Sequence, residues 1–304
     1  MSSKLLSMKE AISENLNDGD SLYIEGFTHL IGFSAAHEII RQKKRNLELQ
    51  RLTPDLVYDQ LIEAGCAKKL LFSWTGNPGV GSLHSVRRRV EKPEQYGELE
   101  LEEYSHFGMV MRLVAGSQGL PFAVLNNYQG SDYLKINSKI KSIDCPYTQK
   151  KLATVPALNP DLAIIHCQRS DELGNAQVWG LMGTQKELAF AAKKTIIVCE
   201  EIISTEQIRK DPNRTLIPSF IVDAVVVEPH GAHPSFAQGY YDRDNEFYIE
   251  WDKVSRDPQL MKEYFDEWVY GVKDRAEYWS KLTEAKKTLL KANERLSGQV
   301  NYGY

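Results

Sequence analysis

Three segments constrain this chain more than any others: DLAIIHCQ (161–168), TIIVCEE (195–201) and IVDAVVVEP (221–229). Each is apolar almost without interruption, whereas a strand with one wet face alternates apolar and polar residues. Such runs belong in strands covered on both faces, so the expected fold class is α/β, an open mostly parallel sheet flanked by helices. The rest of the sequence alternates accordingly. Ser7-x-x-Glu10 has the spacing of a capping box and predicts a first helix that ends at Asn17-Asp18-Gly19. SLYIEGF (21–27) predicts a strand, FSAAHEIIRQKK (33–44) a helix and NLELQRL (46–52) a second strand. Thr53-Pro54, read as N-cap and first helical residue, starts a helix that stops at Gly65, and KLLFSW (69–74) predicts a third strand. A helical stretch over 99–119, a strand LPFAVLN (120–126) and an irregular segment reaching Thr154 lead into the apolar runs. Past Asp257, Met261, Tyr264, Phe265 and Trp268 recur at helical spacing and predict a helix packed on the sheet. The expected organisation is a single α/β domain over 1–285 with a C-terminal helical tail over 286–304.

Composition narrows the function. With 304 residues, 42% of them hydrophobic, the chain can bury a large core without disulfides or metals. A formal net charge of -4 offers no pervasive positive field, so nucleic acid is not an expected partner. Cys66, Cys145, Cys167 and Cys199 form no CxxC pair, and Cys167 and Cys199 lie within core runs, as small buried side chains of a reducing compartment would. MSSKLLSMKE lacks the apolar stretch of a signal peptide, and no segment approaches the ~20 apolar residues that span a bilayer. The expectation is a cytoplasmic protein with no membrane association.

In open α/β sheets, ligands gather at the carboxyl ends of strands, where loops vary over a rigid scaffold. That rule selects Gly26-Phe27-Thr28-His29, the stretch Thr75 to Gly81, Asn126 to Ser131, and His230-Gly231-Ala232-His233. TGNPGVGS (75–82) has neither the Gly-Lys-Ser/Thr ending of a P-loop nor the spacing of a dinucleotide fingerprint, so it reads either as an ordinary turn or as one whose glycines bring bare N–H groups to a phosphate or thioester oxygen. His230 and His233 lack further ligands at motif spacing, and no metal is expected. His166, inside AIIHC, reads as a satisfied core histidine. Glu25, Glu200 and Glu201 sit at strand ends where burial can raise a carboxyl's pKa, but the last two point to opposite faces and cannot work as a matched pair. Ser204-x-x-Gln207 is another capping box, and no GxSxG elbow supports a serine triad.

DLAIIHCQRSDELGNAQVWG, TIIVCEEIISTEQIRKDP and VDAVVVEPHGAHPSFAQGYYDRDNEF, in that order and spacing, resemble the A subunit of family I CoA-transferases, glutaconate CoA-transferase above all. Gly26-Phe27, Thr75 to Val80, Leu120-Pro121-Phe122 and Gln129-Gly130-Ser131 extend the likeness over almost the whole chain. The resemblance implies two related α/β subunits with an active site at their junction. It implies that the nucleophile is a glutamate of the B subunit, which attacks an acyl-CoA to give an anhydride and then a glutamyl-CoA thioester. This chain is then catalytically incomplete by itself, and its partner is a B subunit in a heterodimer or heterotetramer. No permanent cofactor is implied, coenzyme A thioester being the substrate. The residues expected to contact it are Gly26, Phe27, Thr75, Gly76, Asn77, Gly79, Val80, Ser105, Gln129, Gly130, Ser131, Gly231 and His233, the last two lining the cleft or bracing the partner. The Gly76 to Gly81 turn is expected to aim donors at an oxyanion, and Ser131, Gln129, Ser105, His106 or an arginine to hold a distal carboxylate. His106 stands where a ring-opening hydrolase of this fold carries a catalytic glutamate, a departure that argues against the same hydrolase mechanism, and it reads either as a packing residue or as a candidate base in the pocket. Two alternatives accompany transfer of CoA from a short acyl or dicarboxylyl thioester: a hydrolase or decarboxylase subunit, and a non-catalytic binding subunit.

Overall fold

The computed structural model describes residues 3–78, 80–293, 295, 296 and 298. Twelve strands are assigned among them: β1 (Ser21–Ile24), β2 (Leu47–Gln50), β3 (Ala67–Phe72), β4 (Glu100–Glu103), β5 (Phe122–Leu125), β6 (Lys141–Asp144), β7 (Lys151–Pro156), β8 (Leu162–Ser170), β9 (Ala176–Gln177), β10 (Lys194–Ile202), β11 (Thr215–Ile217) and β12 (Ala224–Val227). The helices are α1 (Met8–Asn15), α2 (Phe33–Arg41), α3 (Leu56–Glu63), α4 (His84–Glu91), α5 (Pro93–Tyr96), α6 (His106–Ser117), α7 (Tyr133–Ile136), α8 (Gln185–Ala191), α9 (Thr205–Lys210), α10 (Asn245–Arg256), α11 (Pro258–Tyr264), α12 (Arg275–Ser280) and α13 (Glu284–Leu289).

Parallel pairing runs in the order β12, β10, β8, β1, β2, β3, β4, and the far end of β8 carries the antiparallel pair β9 and β11. The apolar runs behave as two-faced strands should. Ile164, Ile196 and Val198 join the core on one face with Leu22 and Ile24. Ala163, Ile165, Cys167, Ile197 and Cys199 join the core on the other with Tyr23. Polar or charged residues at those positions would face protein on either side, which is why the runs tolerate almost none. His166 is the exception, and it is matched there by Glu200, whose Oε1 lies 2.7 Å from its Nε2. Glu201, one residue on, points the other way and accepts from Arg169 (3.1 Å) and Tyr240 (2.7 Å).

From β1 the chain steps outward through β2, β3 and β4, and from β8 it steps outward through β10 and β12 in the opposite direction. Loops therefore diverge above the β1–β8 seam, and a crevice opens at the carboxyl ends of the strands there. Both capping boxes form, Ser7 with Glu10 and Ser204 with Gln207.

Several expectations need correction. The cap of α3 is Asp55, which accepts from Val57 N at 3.2 Å, and not Thr53. The segment expected to be helical from 99 begins instead with β4, whose exposed Glu100 and buried Glu102, on one face of the strand, flank Lys69 of β3. LPFAVLN does not enter the main sheet: β5 pairs antiparallel with β7, and β7 with β6, in a separate three-stranded sheet that organises the supposedly irregular segment. The tail boundary at 286 cuts through α13, and Leu290 just beyond it is buried, with its carbonyl accepting from Asp242 N at 2.7 Å. Residues 294, 297 and 299–304 of that tail lie outside the described residues.

Candidate active-site cleft

Two connected chambers, about 390 and about 500 Å³, share Phe27, Thr53 and His106 and lie over the ends of β1, β2 and β3. The first is floored by Tyr23, Glu25, Arg51 and Thr184 and walled by Leu52, Val110, Val114 and Met182. The second is bounded by Thr28, Trp74, Pro78, Leu181 and Arg243.

The turn after β1 brings its backbone close to the cleft at the cost of local strain. Gly26 has φ 131°, and a Cβ there would come within 2.9 Å of His29 O and Ile31. Thr28, a β-branched residue, is held at φ 56°, a conformation that persists only where surroundings over-determine it. Those surroundings are identifiable. Ser235 Oγ donates to Thr28 O (2.9 Å), and Leu30 N donates to Phe236 O (2.9 Å). His29 Nε2 accepts from Gln238 N (3.1 Å), which leaves Nδ1–H to donate to Leu181 O (2.8 Å). Burial pushes the His29 pKa down to about 4, so the ring is a neutral two-ended clamp.

Glu25 is 4% exposed. Its Oε1 accepts from Thr184 N (2.9 Å) and its Oε2 from Thr184 Oγ1 (3.2 Å), at the N-cap of α8. Burial raises its pKa above the usual carboxylate range, against the pull of the Thr184 backbone bond and the Arg51 charge. Arg51, 1% exposed, forms a bidentate pair with Asp55 (3.2 and 3.1 Å) and donates to Gly26 O, so its charge is already balanced. Glu187 lies on the wall in the first turn of α8.

The expected site residues divide. Gly26, Phe27 and His106 line the cleft. Ser105 caps α6 by accepting from Gly108 N (3.0 Å) and also accepts from Asn127 Nδ2 (2.9 Å). Gln129, Gly130 and Ser131 sit on the adjoining loop but outside both chambers, and Ser131 Oγ donates back to Tyr128 O (2.8 Å). Among the described residues of the glycine-rich turn, four amides are already taken: Gly76 N bonds Pro54 O (3.2 Å), Asn77 N bonds Gly81 O (2.8 Å), and Val80 N and Gly81 N bond Asn77 O (3.0 and 3.1 Å). Asn77 is itself buried and donates to Tyr248 O (2.8 Å), and Thr75 does not line either chamber. The turn is a self-contained buttress beneath Trp74 and Pro78, and Gly79 lies outside the described residues.

Gly231 and His233 are a clearer correction. His233 is fully buried between Tyr278 Oη (3.0 Å to Nδ1) and Asp244 Oδ2 (3.1 Å to Nε2), and burial pushes its pKa down to about 4. A Cβ on Gly231 would meet Glu228 O and His166 Cε1 at 2.8 Å. This loop clamps the strained turn after β1 to α12 and does not line the cleft.

Arg51, Asp55, Thr184, Ser73 and Met182 were not singled out from sequence. They come from three separate segments, and Arg51 and Ser73, each near the end of a predicted strand, stood at the kind of position that marks a site. Among the described residues no cluster of three or more potential metal ligands occurs, and no helix is long and apolar enough to cross a membrane.

Residues 5–228 match the coenzyme A transferase family model. The chain belongs to the coenzyme A transferase family. It is 50% identical over 283 residues to the A subunit of 3-oxoadipate CoA-transferase from Pseudomonas knackmussii, covering 93% of this chain and 99% of that protein. It is 37% identical to the A subunit of glutaconate CoA-transferase from Acidaminococcus fermentans, over 92% of each. The solved structure of the Acidaminococcus enzyme superposes with a TM-score of 0.89 over 96% of both chains, at 36% identity. A structure of the decarboxylase AibA/AibB follows at a TM-score of 0.72 and 26% identity, covering 87% of this chain and all of that one. The expected A-type CoA-transferase fold is thereby established, and the glutaconate likeness is joined by a stronger one to a 3-oxoadipate enzyme.

Proposed function

We propose that this chain is the A subunit of a heteromeric CoA-transferase that moves CoA between a short acyl thioester and a dicarboxylate, 3-oxoadipate being the first candidate and glutaconate the second. The 50% identity running through 99% of the A chain of a 3-oxoadipate CoA-transferase carries this reading. The cleft agrees with a divided active site. Its most buried carboxyls are committed, Glu25 to Thr184 and Asp55 to Arg51, so the attacking glutamate comes from a B-type partner that closes the open side. Relaying the acyl group through that glutamate divides one difficult exchange into two easier ones. Coenzyme A enters as substrate, and no permanent cofactor is required.

The test is to purify the chain with its B-type partner, assay CoA exchange with 3-oxoadipate and with glutaconate, and trap the intermediate with borohydride after acyl-CoA is added. The expected result is exchange with 3-oxoadipate and a reduced glutamate on the partner. Hydrolysis or decarboxylation of the thioester without exchange would remove the transferase reading. Reduction of Glu25 or Glu187 instead would remove the divided nucleophile.

A further inference from the structure

Ser73 ends β3 and His106 begins α6, and the two meet at the point shared by both chambers. Ser73 Oγ lies 2.6 Å from Leu52 O and 3.0 Å from His106 Nδ1. Two oxygens at 2.6 Å repel unless a proton lies between them, so the single serine proton is on the Leu52 side. Ser73 then has only lone pairs to offer the imidazole, and Nδ1 must be the donor. A neutral ring with its proton on Nδ1 carries a lone pair on Nε2. Among the described residues, Nε2 of His106 has no hydrogen-bond partner. The cleft's arginine floor does not supply one either, because Arg51 is turned to Asp55 and Gly26.

We propose that Ser73 is a positioning residue that locks His106 with its proton on Nδ1, and that Nε2 serves in the cleft as the proton acceptor for the thiol of coenzyme A as it attacks the acyl-glutamyl anhydride. Free coenzyme A has the required chemistry, whereas the thioester itself carries no S–H. The S–H bond of coenzyme A breaks as the sulfur bonds the glutamyl carbonyl carbon, and the bond from that carbon to the bridging oxygen breaks, releasing the acyl group as a carboxylate. The proton becomes Nε2–H, the ring becomes imidazolium, and Nδ1–H stays on Ser73. The reverse step returns the proton, so no oxidant or further reactant is needed. The inference rests on the transferase reading for its substrate and on the Ser73 geometry alone for its tautomer.

Two measurements test it separately. Long-range proton–nitrogen spectra of the full chain labelled in histidine, with the His106 signal identified by its loss in H106N, are expected to show the Nδ1–H tautomer. S73A is expected to mix the tautomers. An Nε2–H signal in the unaltered chain overturns the proposal whatever the enzyme does. In the complex with its partner, H106N keeps an amide near Ser73 but has nothing at the Nε2 position, and kcat is expected to fall at least ~10²-fold with KM little changed. S73A should lower kcat less, again without raising KM, a split that loosened packing of the cleft does not produce. The assay is run with a plain dicarboxylyl-CoA and its own labelled acid, and again with a 3-oxo acid. Loss in both is the expected result, because both exchanges share the thiol step, and loss confined to the 3-oxo acid overturns the proposal. Unaltered kcat for H106N in both sinks the proposal. Absence of CoA exchange in the unsubstituted complex refutes the transferase reading and leaves the tautomer to the spectra.

Discussion

Glu25 at the end of β1 holds the N-cap of α8 through Thr184, with Oε1 2.9 Å from the Thr184 amide. The carboxyl's pKa is raised by burial, and the sign of its effect follows. Below the unfolded value of about 4.3 the group is protonated in both states, and as pH rises the folded state holds its proton longer. Glu25 therefore withdraws stability as pH climbs through its folded pKa. We expect E25Q to match the parent in acid and to exceed it increasingly toward neutral pH, as read from denaturant midpoints measured across pH. A constant difference at all pH values would contradict this.

Buried neutral histidines act in the opposite sense. His29 and His233 have pKa values depressed to about 4 by burial, and His37 is depressed as well. Each contributes stability that is complete above the unfolded value of about 6.5 and is lost as pH falls toward 4. Thermal or denaturant stability should decline over that interval, and H29N should flatten part of the slope.

Asp55 serves Arg51 and α3 at once, accepting both guanidinium bonds and the amide of Val57. D55A leaves a buried cation without its partner, and loss of one member of such a pair costs about 3–5 kcal/mol. Urea titration should show that loss, whereas T53A, at the position that sequence selects as the cap, should change stability by less than about 0.5 kcal/mol.

Gly108 lies under the ring of Tyr128: a Cβ there would fall 1.9 Å from the hydroxyl, which accepts from Ser105 N at 2.9 Å. G108A must push the 126–131 loop off α6, and overpacking of this kind costs about 1–3 kcal/mol. Y128F removes the clashing oxygen. The double variant should therefore be less destabilised than the sum of the two single changes, a coupling that a thermodynamic cycle measures directly.

Much of the fold was readable because its signals are local. Apolar runs too long for one wet face required a two-sided parallel sheet, and Ser7-Glu10 and Ser204-Gln207 marked helix starts within four residues. Errors arose where neighbours in space decided. Asp55 and Thr53 are both plausible caps, and Arg51 one turn away favours Asp55. LPFAVLN has the composition of a sheet strand, but its partner β7, with β6 beyond it, is formed by a polar segment with little periodicity.

The cleft divided in the same way. Gly26 and Phe27 were legible from their place at a strand end and His106 from the family resemblance, while Arg51, Thr184 and Ser73 were not. His233 misled because a histidine in a glycine-rich loop looks alike whether it faces a ligand or is buried between Tyr278 and Asp244.

The sequence by itself determined the sheet, its two-sided burial and the family, since periodicity and a long ordered set of segments survive without coordinates. Only the tertiary structure decided which loops border the cleft, that the amides of Gly76, Asn77, Val80 and Gly81 are taken by backbone carbonyls, and that Ser73 meets His106. Hydrogen-bond partners are set by distances of a few tenths of an ångström between residues remote in the chain, and no local pattern encodes them.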